Sequence, residues 1–171
     1  MQMVKNLLIS LFLIWFALLL FMPKKALYYK LEEILAQKEV KINEESIDEG
    51  LFSLTIQKPK VFVKGIQLAT LEKIDVFTLL FFTKLKLDDL KIDESLKAMT
   101  PTNIDNIAAS HSVVSPKNIL LEAVGEFGDV EGKVDIQNRT LRMDFNTTTE
   151  LGSLKSKLKQ DEKGWYYETS F

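Results

Sequence analysis

The chain has 171 residues, with 22 basic and 24 acidic side chains, one histidine, no cysteine and 46% hydrophobic residues. Residues 1–25 hold three lysines and no acid, so the remainder sets 19 basic against 24 acidic residues and carries about −5. That balance argues against nucleic-acid binding, which rests on a cationic surface, and the lack of cysteine removes disulfides, thiol nucleophiles and cysteine-ligated metals.

From Leu7 to Met22 the sequence reads LLISLFLIWFALLLFM, in which Ser10 is the polar exception. At about 1.5 Å per residue the run reaches roughly 24 Å, slightly short of a hydrocarbon core. Lys5 and Asn6 on one side, and Lys24 and Lys25 on the other, can snorkel to close that gap. A membrane anchor bounded by Leu7 and Met22 is therefore expected, with Trp15 mid-run rather than at an interface. A cleaved signal peptide needs a shorter apolar region and small residues at its cleavage site, whereas Met22-Pro23-Lys24-Lys25 follows here. The expectation is an uncleaved transmembrane signal anchor over residues 1–25. By charge alone, the lysines that follow the span favour a cytoplasmic domain.

After Pro23, ALYYKLEEILAQK predicts a short α-helix over about 26–38, with Leu27, Leu31, Ile34 and Leu35 on one face. So narrow a stripe suits capping the end of a sheet better than lying on a membrane. From Val40 onward the hydrophobic period is two: Phe52, Leu54 and Ile56, then Val61 and Val63, then Ile66 and Leu68, then Ile74 and Val76. Leu85 and Leu87 alternate on the opposite parity to Leu90 and Ile92, so Asp88-Asp89 is expected to form a bulge or tight turn. Ile119 and Leu121, Val134 and Ile136, and Leu141, Met143 and Phe145 continue the pattern, as do Leu154 and Leu158. The last members are Trp165, Tyr167 and Phe171. Short strands with one apolar face predict a mainly β, mostly antiparallel domain over residues 26–171. Two stretches break the rhythm. FTLLFFTK (77–84) reads as a buried strand or one helical turn, and residues 94–117 as a long polar connection with a short helix near 104–109.

The order of features is similar to the type II secretion protein N family and the wider AsmA-like group of bacterial envelope proteins. The residues that carry the resemblance are PKKALYYKLEEIL after the span, KVFVKGIQLATLEKIDVFTLLFFTKLKLDDLKI, GDVEGKVDIQNRTLRMDF and the closing GWYYETSF. The resemblance implies an inner-membrane anchor and a periplasmic, curved antiparallel sheet of the taco or half-sandwich kind, with an apolar concave face. It is the reason for placing the domain outside the cytoplasm, and it brings no catalytic motif.

Catalytic, cofactor-binding and metal-ligating residues are all expected to be none. His111 lies beside Ser110 and Ser112 in the polar connection, without the strand–turn–helix context of a nucleophile elbow, and one histidine without cysteine makes zinc improbable. The acid pairs Glu32-Glu33, Glu44-Glu45 and Asp88-Asp89 diverge on any regular element and form no dyad. The apolar face is what remains. It is either an ordinary sandwich or barrel core, or a groove for acyl chains lined by Phe52, Leu54, Ile56, Val61, Val63, Ile74, Val76, Leu85, Leu87, Val134, Ile136, Leu141, Met143 and Phe145. The expected partners are a membrane and either phospholipid or other envelope proteins. Two functions follow: lipid handling, or a scaffold in an envelope-spanning machine such as a secretion system, pilus or flagellar motor.

Overall fold

The computed structural model describes residues 2–79, 81–96, 103–147, 151–162 and 164–171. Helix α1 runs Gln2–Leu20. Its first turn holds Gln2, Lys5 and Asn6, which leaves Leu7–Leu20 as the apolar stretch, about 21 Å long against a hydrocarbon core of roughly 30 Å. Among the described residues no helix is long and apolar enough to cross a membrane. The expected run to Met22 is cut short because Phe21 already leaves the helix before Pro23.

Helix α2 spans Lys24–Ala36, two residues earlier than expected, because Pro23 sits at its N-cap with φ −76°. The Leu27 amide closes the first turn on the Pro23 carbonyl, and the Lys24 amide, an orphan of the helix start, donates to Glu49 Oε1 at 2.8 Å. That bond ties the start of α2 to the sheet.

Among the described residues the sheet has thirteen strands. They are β1 (Val40–Asn43), β2 (Ser46–Glu49), β3 (Ser53–Gln57), β4 (Lys60–Val63), β5 (Ile66–Thr70), β6 (Lys73–Leu79) and β7 (Phe82–Ile92). After them come β8 (Asn103–Ser112), β9 (Asn118–Gly125), β10 (Gly128–Asp135), β11 (Thr140–Phe145), β12 (Lys159–Asp161) and β13 (Gly164–Ser170). Every pairing is antiparallel. One path runs β2-β3-β6-β7-β8-β9-β10-β11-β13-β12, and β1, β4 and β5 branch from the far part of β7. Both β5 and β6 pair with β7, so each of the first three long strands is one extended line interrupted in its middle. Lys58 and Asp89 adopt φ 44° and 51° at these interruptions, which is where the side-chain parity changes. The expected bulge or tight turn at Asp88-Asp89 is not formed: β7 runs through it with unshifted registers to β5, β6 and β8, and only the Asp89 backbone is irregular.

Three further expectations need correction. Residues 103–112, taken as part of a loop with a helix near 104–109, form a ten-residue strand between β7 and β9. Backbone pairing on both sides overrides its polar, small-residue composition, and a register shift between Ile104 and Asn106 breaks the alternation that would have revealed it. Within the 94–117 connection, 94–96 is a short 3-10 turn. FTLLFFTK is neither a buried strand nor a helical turn: β6 ends at Leu79, β7 begins at Phe82 and Phe81 occupies the hairpin tip. Around Leu154 and Leu158 the chain makes a 3-10 helix over Gly152–Lys157 in place of a strand.

Two small cores stand on one face of the sheet. Tyr28 of α2 packs on Leu54 and Ile56 at one end. Phe127, Val130 and Leu151 pack together at the other, with Phe145 and Leu158 around them.

Candidate apolar groove

Directly opposed residues of an antiparallel ladder share a face, so the registers trace side-chain rows across the sheet. One row runs Ile47–Ile56–Ile74–Leu87–Ile107–Ala123–Val130–Phe145–Trp165. The next, on the same face, runs Leu54–Val76–Leu85–Ala109–Leu121–Gly132–Met143–Tyr167. At about 4.8 Å per strand, eight strands carry an unbroken apolar band of roughly 34 Å.

Two cavities lie along this band. The first, about 390 Å³, is lined by Phe52, Leu54, Ile56, Ile74, Val76, Leu85 and Leu87 from the sheet, and by Leu27, Tyr28 and Leu31 from α2. The second, about 230 Å³, is lined by residues that include Ile107, Leu121, Met143, Phe145 and Leu151. They adjoin where Leu87 pairs with Ile107 and Leu85 with Ala109. Ala109, a small side chain, stands beside Leu85 on the face between them.

The expected groove residues therefore divide. Phe52, Leu54, Ile56, Ile74, Val76, Leu85 and Leu87 line the first cavity, and Met143 and Phe145 the second. Val134 and Leu141 pair with each other on the same face, one row nearer the β8–β9 turn. Val61 and Val63 lie on β4 beyond the interruption at Lys58 and line neither cavity. Ile136 follows the end of β10 and is exposed. The α2 side chains, Ile107 and the Phe127–Leu151 cover were not in the expected set. Tyr28 and Leu31 share the Leu27 face of α2, so that stripe was the available signal.

The opposite face is ionic. Lys73 Nζ lies 2.6 Å from Asp75 and 3.6 Å from Asp88, and Thr55 donates to Asp75 at 2.6 Å. Asn106 donates to Asp88 at 2.7 Å. Burial pushes the Asp75 carboxyl up, but its bonds from Lys73 and Thr55 outweigh that and hold it below the usual carboxylate range. Arg142 bridges Asp144 and Asp161 at 2.6 Å each, with its guanidinium 4.1 Å from the centre of the Tyr166 ring. The sheet thus carries its apolar rows on one face and its ion pairs on the other.

Where α2 meets the sheet, the Tyr28 hydroxyl donates to Glu44 Oε2 at 3.2 Å. Burial, then the Glu32 and Glu44 charges, push the phenol upward, so it stays protonated. Burial and the Glu44 charge likewise raise Glu32, against an opposing hydrogen bond from Tyr28. His111, expected in an exposed loop, is a half-buried residue of β8 with Nε2 3.2 Å from the Pro116 carbonyl. It opposes Thr83 and Ile119, whereas Ser110 and Ser112 lie at strand neighbours of opposite parity, so no Ser–His pair is assembled. Among the described residues no group of three or more His, Asp or Glu side chains is placed to hold a metal ion.

No protein-family model matches the chain, and no curated protein or solved structure gives a match.

Proposed function

We propose that the protein is a non-enzymatic lipid-handling module that α1 anchors in a membrane and whose sheet holds acyl chains along its apolar face. The observation that carries this reading is the unbroken apolar band joining two adjacent cavities. A cavity of about 390 Å³ falls within the usual 300–1,000 Å³ range of small-ligand sites. Each methylene taken from water gains roughly 0.8 kcal/mol, so mostly apolar walls, with Lys24 in the first cavity and Glu122 in the second, hold an acyl tail largely by area.

Helix α1 supports the membrane half. Leu7, Leu8, Leu11, Ile14 and Leu18 are all exposed, a continuous apolar surface that soluble monomers rarely present to water. A bilayer covers it; local thinning and snorkelling of Lys5 meet the shortfall in length at a cost of fractions of a kcal/mol per Å. In this reading α1 inserts its apolar surface into a bacterial inner membrane and the sheet lies on the periplasmic side, curved about its ligand, as the family resemblance implies. A scaffold built by strand addition is the weaker reading, because the β12 edge is three residues long, polar and charged, as protected edges are.

Substitution of Ala109 tests the groove. It sits half-buried on the apolar face, paired with Leu85 of the first cavity and Leu121 of the second, so Ala109→Phe places a bulky ring across the band without adding charge. The full-length protein should bind a polyene fatty acid saturably, and Ala109→Phe should lose that binding with its circular dichroism unchanged. No saturable binding by the wild type would refute the groove. Purification only as a complex with an envelope protein would favour the scaffold.

A further inference from the structure

Adjacent hairpin tips at one end of the sheet are joined by backbone hydrogen bonds. The Thr78 amide donates to Phe52 (2.8 Å), Val113 to Phe81 (2.8 Å) and Ile136 to Lys117 (2.8 Å), so the turns at 50–52, 81, 113–117 and 136–139 stand side by side. Each presents apolar side chains to solvent: Leu51 is 69% exposed and Val114 92%, and Phe81, Val113 and Ile136 are exposed beside them. Tips of this kind are normally polar. At the other end, Phe127 of the β9–β10 turn is buried, and Ile66 of the β4–β5 hairpin and Val124 near the end of β9 are exposed.

The same end is where α1 joins the domain. The start of α2 is bonded to Glu49, at the end of β2 beside the 50–52 turn. Trp15 of α1 meets Phe81 with ring centroids 5.3 Å apart. Trp15 lies five residues before Leu20, about 8 Å along the helix axis, so Phe81 sits beside the apolar helix rather than beyond its exit. The charges agree with an anionic surface: the turns and the α1–α2 junction at this end carry Lys24, Lys25, Lys117 and Arg139, and no acid among their described residues. The flanking acids are engaged locally, Glu49 by the Lys24 amide and Asp135 by Asn138.

We infer that this end of the sheet is a membrane-docking rim: the hairpin tips enter the interface of an anionic bilayer beside α1, with the four cations at headgroup level. The occupant is a lipid surface. Apolar side chains reach about 5–10 Å into the headgroup–acyl boundary, and basic side chains add attraction to anionic lipid. Met22 and Thr78 at this end also line the first cavity, so the rim sets the mouth of the groove against the bilayer. The inference rests on α1 being the anchor, and the experiment separates the two.

The full chain has no cysteine, so Leu51→Cys, Val114→Cys and Glu94→Cys each create one labelling site at an exposed position. Each variant carries an environment-sensitive fluorophore in phosphatidylcholine–phosphatidylglycerol vesicles containing brominated lipid. Trp15 reports α1 directly in a Trp165→Phe background. The labels at 51 and 114 should be blue-shifted and quenched, and the label at 94 should be neither. Lys117→Glu combined with Arg139→Glu should reduce quenching at 114 and leave Trp15 quenched. Quenched Trp15 with water-exposed labels at 51 and 114 would overturn the rim and leave the anchor standing. Quenched labels with unquenched Trp15 would refute the anchor and, with it, docking beside α1. Quenching of neither would refute both.

Discussion

Tyr28 is the side chain that fastens α2 over the first cavity, so truncating it should open the groove before it unfolds the sheet. It is 6% exposed and packs on Leu54 and Ile56, with Ile47, Ile74 and Val76 around them. Removing a buried aromatic ring costs about 3–5 kcal/mol. The low end, about 3 kcal/mol, applies to Tyr28→Ala because an open cavity adjoins the site and its walls can settle. Tyr28→Phe keeps the ring and loses one hydrogen bond to Glu44, about 1 kcal/mol, because Glu44 is only half-buried and turns to water. Hydrogen exchange read by mass spectrometry on α2, together with urea unfolding of the full-length protein, checks both. In Tyr28→Ala the α2 amides should exchange more than a hundredfold faster, since 3 kcal/mol is about two decades, while those of β8 and β9 change far less. Equal acceleration across the sheet would refute a separately opening cover, and no acceleration in α2 would refute Tyr28 as its fastening.

Glu32→Gln should stabilise the docked α2 at pH 7. The folded carboxyl is raised by burial and by Glu44, so the native state holds its proton over a pH window just above the ordinary carboxylate range. Stability falls as pH rises through that window and stays low above it; urea midpoints against pH should show that fall in the wild type and lose it in the variant. Gly128→Ala should cost about 1–3 kcal/mol, because Gly128 sits at φ +83° and a Cβ there would meet Thr147 Oγ1. Thermal unfolding checks it, and a change under 0.5 kcal/mol would mean that the turn relaxes freely.

Alternation made the first half of the sheet legible, because Leu54, Ile56, Ile74, Val76, Leu85 and Leu87 keep strict parity on strands that bury one face. The parity change after Leu87 pointed to an irregularity at Asp88-Asp89, which is the left-handed Asp89 at φ 51° within a strand of unshifted register rather than a bulge. The strand β8 was hidden because Ile104 and Ile107 are three apart across a register shift, a spacing that imitates a helix. Its Ala108, Ala109 and Ser110 have little strand preference; neighbours on both sides dictate the conformation. Phe127 and Leu151 sit singly in a turn and beside a 3-10 helix, where no periodicity exists to flag them, yet they cover the second cavity. The rim was the least legible feature. Leu51, Phe81, Val114 and Ile136 are far apart in sequence, and strand pairing alone brings their turns to one end.

The most direct measurement of the central claim is photo-crosslinking of the membrane-reconstituted full-length protein with a phospholipid that carries a diazirine in its acyl chain, followed by peptide mapping. If the apolar band holds acyl chains, adducts should fall on groove-facing residues of β6, β7 and β8, such as Val76, Leu85, Leu87 and Ile107. Their neighbours Asp75, Lys86 and Ala108 on the ionic face should remain unmodified, and Ala109→Phe should suppress the groove adducts while sparing those on α1. Adducts confined to α1, or spread equally over both faces of the sheet, would contradict a lipid-holding groove.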